Sequence, residues 1–149
     1  MSTVIDRSVL TDHLLERLQP ESDESRVWSV GDHEKPKAGG WQGTAGRSEF
    51  VPYIVLTATP SQAPTGSVAK PNVDVWFGYA LTSVGTHRDQ VEKTAAMARE
   101  RLLSLRRTKT DDGRSVSSVQ VTRYGGVDRL PTEPPLYLVT DQVSMFTSQ

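Results

Sequence analysis

The chain has 149 residues, 36% of them apolar, with 11 glycines and no cysteine. That length builds one domain able to bury its own core, and the missing cysteine excludes disulfides, iron–sulfur clusters and Cys-based zinc sites. A formal net charge of −1 excludes a globally basic nucleic-acid binder, and no apolar run approaches the ~18 residues that a membrane helix needs.

Met1-Ser-Thr-Val-Ile-Asp6 has neither a basic nor an apolar leader region, so no signal peptide is expected. A first helix is expected from Asp6, as its N-cap, to about Gln19. Leu10, Leu14 and Leu18 form its apolar stripe, widened by Leu15, and Pro20 stops it. Glu21 to Ser25 reads as a solvated connector, with Glu21, Asp23 and Glu24 in water. Val27 to Val30 reads as a short strand. Residues 31–49 contain Gly31, Gly39, Gly40, Gly43 and Gly46 around a single large apolar residue, Trp41, and are assigned no secondary structure. Tyr53 to Ala58 is a strand by its β-branched and aromatic content, and a second loop covers 59–72. From Val73 to Val84 apolar and small residues alternate, which predicts the longest strand, with Trp76 turned to the opposite face. The clearest helix follows. Thr86 and Asp89 make a variant capping box, Asp89 and Lys93 a favourable pair, and Val91, Ala95, Ala98, Leu102 and Leu105 a core stripe. Arg106 and Arg107 sit where the helix dipole favours cations. Asp111-Asp-Gly113 is a turn, Val116 to Arg123 a strand, 125–135 an irregular Gly/Pro segment, and Leu136 to Phe146 the last strand.

The expected architecture is a single α+β domain over 1–149, in the order α-β-β-β-α-β-β. It has two layers, a small and mostly antiparallel sheet with both helices on one face. Charge is uneven along it. Residues 1–35 carry net −4 and residues 86–114 net +3, an asymmetry that permits head-to-tail self-association.

The chemistry-bearing residues form no catalytic pattern. His13, His33 and His87 have no second histidine at helical spacing. Asp32-His33-Glu34 is the one candidate metal or acid–base cluster, and consecutive side chains rarely converge on one ion. Gly40 to Gly46 fits neither the dinucleotide nor the P-loop glycine pattern, and it precedes a strand rather than a helix. It reads as a flexible arm instead. Arg99, Arg101, Arg106, Lys109 and Arg114 have a charged outer helix face as their default reading, with phosphate contact as the alternative. Lys35, Lys37, Trp41 and Arg47 are the candidate interface residues. Trp41 either folds back on its own domain or anchors in a neighbouring subunit.

A set of strings in fixed order carries a resemblance. They are Val30-Gly-Asp32, Gly39-Gly-Trp41, Phe50-Val-Pro-Tyr-Ile-Val-Leu56, Tyr79-Ala-Leu-Thr-Ser-Val-Gly85 with Arg88-Asp-Gln-Val-Glu92, and Gly125-Gly-Val127 with Pro134-Pro-Leu136. Together they resemble the tail terminator proteins of long-tailed phages, closest to those of phages that infect actinobacteria. The likeness covers roughly 4–147. It departs from the family at Lys93-Thr94, where an aromatic is expected. The resemblance implies a structural virion protein assembled in the bacterial cytoplasm, with no catalytic residues, cofactor or metal. Such a protein forms a homohexameric ring on the head-proximal end of the tail tube and stops its elongation. Its implied partners are its own copies, the tail tube protein and the head-completion (stopper) protein, with genomic DNA only in transit through the lumen and no membrane. A head-closure or tail tube protein of the same virion is the alternative station, and a small metal-dependent enzyme the competing class.

Overall fold

The computed structural model describes residues 7–19, 28–60, 75–105 and 108–148. The Asp6 cap, Pro20, the connector at 21–25, Val27, Val73, Arg106 and Arg107, and 61–72 of the second loop lie outside the described residues.

The first helix, α1, spans Arg7–Leu18, and its Leu10, Leu14 and Leu18 are buried as their spacing predicts. The second, α2, spans Arg88–Leu103 and buries Val91, Ala95, Ala98 and Leu102. Its start differs from the expected box. The preceding strand runs to Gly85, so the N-cap is His87 and the third helical residue is Gln90, not Asp89. Gln90 Oε1 accepts hydrogen bonds from the Thr86 backbone N–H at 2.8 Å and the Thr86 hydroxyl at 3.0 Å. Asp89 pairs instead with its neighbour Arg88 at 2.9 Å.

The strands are β1 (Ser29–Asp32), β2 (Gly40–Trp41), β3 (Phe50–Val51), β4 (Tyr53–Thr59), β5 (Val75–Gly85), β6 (Thr108–Lys109), β7 (Ser115–Arg123), β8 (Asp128–Leu130) and β9 (Leu136–Ser148). The main sheet is ordered β1-β4-β5-β9-β7-β6, and β8 adds to β9 off that path. Among the described residues only β1 and β4 run parallel; every other pair is antiparallel. The molecule is therefore α+β, with two helices and a mostly antiparallel, curled sheet.

Two expectations of irregular structure are corrected. Residues 31–49 contain the end of β1 and the strand β2, which pairs antiparallel with β3. Gly40 makes this possible, because its φ of +82° is a conformation that side-chain-bearing residues rarely adopt. Residues 125–135 contain β8, formed because β9 extends to Leu136 and offers Leu136, Tyr137 and Leu138 as partners. Strand β6 has only two residues and leaves no periodic trace in the sequence.

Leu10, Leu14 and Leu18 of α1 and Ala98 and Leu102 of α2 share one buried cluster with Leu56, Tyr79, Leu81, Val143 and Met145. The strand register explains this meeting. Leu56 pairs with Leu81, Tyr79 with Val143 and Phe77 with Met145, so their side chains leave the sheet on one side. Trp76 points the other way, as its break in the alternation predicts, and its ring meets Phe146 at 5.4 Å.

Candidate functional site

The interface candidates fall on and beside the β2–β3 hairpin. Trp41 pairs with Phe50 across it, and their rings meet edge to face with centroids 5.0 Å apart. Phe50 continues to Tyr53 at 6.3 Å, which makes a row of three aromatics. Lys35 lies at the end of the row. Its Nζ donates to the Gly39 carbonyl at 3.0 Å and stands 6.0 Å from the centre of the Tyr53 ring. Half-burial pushes the Tyr53 hydroxyl above its ordinary pKa of 10.0.

The hairpin closes on itself. Gln42 N–H donates to the Glu49 carbonyl at 2.9 Å, and the Gln42 side chain donates to the carbonyls of Ala38 and Gly40. Trp41 is thus half-buried on its own domain, while Lys37 and Arg47 are exposed. The structure joins Lys35 and Trp41 in one aromatic row and leaves Lys37 and Arg47 in solvent. From Glu34 to Glu49 the chain has three cations and two acids, so this ridge presents an apolar flank and a small excess of positive charge.

Asp32 and His33 meet but do not form a site with Glu34. His33 Nδ1 lies 2.5 Å from Asp32 Oδ1, and Nε2 accepts the Ala58 backbone N–H at 3.1 Å. That leaves the Nε2 lone pair committed to the backbone, and Glu34 is exposed. Among the described residues no three His, Asp or Glu side chains are grouped to hold a metal ion. His13 Nε2 lies 3.2 Å from the Thr108 hydroxyl and ties α1 to β6. His87 is exposed at the start of α2.

The outer-face expectation for the basic residues is corrected at two positions. Arg114 is 6% exposed, with its guanidinium on Thr147, because it enters β7 beside the end of β9. Arg99 turns inward and binds Asp141 at 2.7 Å. Arg101 lies over the Trp28 ring at 5.0 Å, and Lys109 is exposed. Glu21, Asp23, Glu24 and Arg106 lie outside the described residues.

Two polar anchors escaped sequence reasoning. Asp141 sits in the apolar alternation of β9, between Val139 and Val143, and is 1% exposed. Its two oxygens are divided between Arg99 and the Gly125 N–H, the latter at 2.9 Å. A Cβ on Gly125 would stand 2.1 Å from the Thr140 carbonyl oxygen, so only glycine lets this segment reach the carboxylate. Tyr124, 66% exposed, covers the Arg99 guanidinium at 4.8 Å. A charged residue in core register was the available signal. The other anchor is Arg7, which donates to the carbonyls of Thr59 and Gly78 and stacks 4.6 Å over Tyr79. An arginine in the first turn of a helix carries no such signal.

The chain is matched by no model of a known protein family and by no curated protein. No helix among the described residues is long and apolar enough to cross a membrane.

Proposed function

We propose that this chain is a structural protein of a long-tailed phage, a tail terminator. It closes a ring on the head-proximal end of the tail tube, stops tube growth and presents a surface to the head-completion protein. The reading is carried by the ordered strings from Val30 to Leu136. In the fold these strings occupy β1, the β2–β3 hairpin, β4, the β5–α2 junction and the approach to β9. In this reading the two helices form one layer over one face of the sheet, the protein is not an enzyme, and DNA passes the ring without a fixed site.

A closed ring uses two different patches on each subunit. The hairpin ridge, with Lys35, Lys37, Trp41 and Arg47, supplies one of them. Its excess of positive charge suits an acidic patch on the neighbouring subunit.

Electron microscopy of the purified protein mixed with tail tubes tests the reading. Single rings capping tube ends are expected. Long tubes formed by the protein alone assign it to the tube, and binding to the head connector alone assigns it to head closure. Neither rings nor capped ends would sink the proposal. Trp41→Ala is expected to abolish capping while the subunit stays folded by circular dichroism; intact capping refutes the role given to the hairpin.

A further inference from the structure

Strands β4, β5 and β9 carry one side chain that is charged at neutral pH, Asp141, and it points into the core. On the opposite face the side chains of these strands are therefore uncharged, and a cation from outside them, Lys35, stands over the Tyr53 ring at the start of β4. That face presents Ala80, Thr82, Thr140, Gln142 and Ser144, with the Trp76–Phe146 ring pair at one end. Thr82 and Thr140 sit directly opposite each other, hydroxyl to hydroxyl at 3.3 Å, near the middle of this face.

Two exposed charges border the face. The register places Arg123 opposite Gln142 and Asp128 opposite Leu138. They lie two residues to either side of Thr140 on β9 and have opposite sign. Between them a cleft of about 280 Å³ is lined by Arg123, Asp128, Thr140 and Gln142.

We propose that this face binds the same face of a second copy of the chain, about a two-fold axis that crosses the strands at the Thr82–Thr140 row. Such an axis exchanges the positions two residues above and below Thr140. It therefore brings Arg123 of each copy to Asp128 of the other, twice per dimer. In a two-fold contact residue i meets j and j meets i, so the surface must complement itself. Hydroxyl and carboxamide groups meet that condition because each both donates and accepts. An uncharged centre also avoids the desolvation penalty of buried ions. A partner of different chemistry would find no charge to read at the centre of the face. The inference concerns the free chain and does not rest on the ring reading, whose contacts are head to tail.

The test is the mass of the full chain without tail tubes, by sedimentation equilibrium. A dimer is expected. Arg123→Asp and Asp128→Arg each set like charges against each other at two places and weaken the dimer by about tenfold or more. The double variant R123D/D128R restores it to near the parent affinity. Both sites are exposed, and circular dichroism confirms that each variant is folded. Ala80→Glu, at the uncharged centre, yields a monomer. A monomeric parent overturns the proposal, as does a parent ring whose mass none of these changes alters. A double variant no better than the single ones overturns the two-fold geometry and the proposal with it.

Discussion

Replacing Asp141 probes the most deeply placed charge among the described residues. Its carboxylate is 1% exposed and the Arg99 side chain 21%. Asp141→Ala removes the acceptor for the Gly125 N–H and leaves a largely buried guanidinium without its partner. Breaking a buried pair from one side costs about 3–5 kcal/mol. For a domain of this size that lowers Tm by roughly 10 °C. Asp141→Asn keeps an oxygen for Gly125 but loses the charge, and about 1.5–3 kcal/mol is expected. Replacing both partners, as Arg99→Met with Asp141→Leu, should cost less than Asp141→Ala alone, because no buried charge remains. Urea unfolding of the parent, these variants and the single changes Arg99→Met and Asp141→Leu measures all of this. A loss below about 1 kcal/mol for Asp141→Ala would refute the reasoning, and so would a double variant as unstable as the sum of its parts.

Arg7→Met should cost about 2–3 kcal/mol, since two carbonyls and an aromatic stack lose their cation together; hydrogen exchange should show α1 opening ahead of the sheet. Gln90→Ala removes the acceptor that caps the Thr86 N–H and should cost about 1 kcal/mol, read as a shift in the urea midpoint. Tyr53 titrates higher folded than unfolded, so its stabilising contribution is complete below pH 10.0 and is lost as pH rises through the folded value. Tyr53→Phe should flatten that part of the alkaline stability curve, and an unchanged slope would count against Tyr53 as its source.

Most of the architecture was legible where one period dominated. The 3.6-residue stripes of α1 and α2 and the alternation of β5 needed no tertiary context to be read, because each side chain's burial follows from its own element. The α2 cap was misread because its position depends on where β5 ends, and β5 is held to Gly85 by pairing with Tyr137, more than fifty residues on. Strands β2, β6 and β8 are too short to show a period. Each exists because a partner strand presents open backbone groups to it. At the candidate site, Trp41 was legible as unusual but its stacking on Phe50 was not, since eight intervening residues conceal that the two face each other. Asp141 stood in plain view as a charge in core register; what remained hidden was the cation on α2 that donates to it.

The position of β9 has a consequence for how the chain is made. This strand pairs with β5 on one side and with β7 and β8 on the other. While a ribosome is still working through residues 115–135, β5 has β4 beside it, but β7 and β8 have no mate in the main body of the sheet. The nascent chain therefore holds several open strand edges, the condition in which chains aggregate most readily. Only when residues 136–148 emerge can these pieces join into one sheet. Loss of even a few residues from this strand should be felt across the whole fold, and a host chaperone that shields strand edges is most useful in that interval.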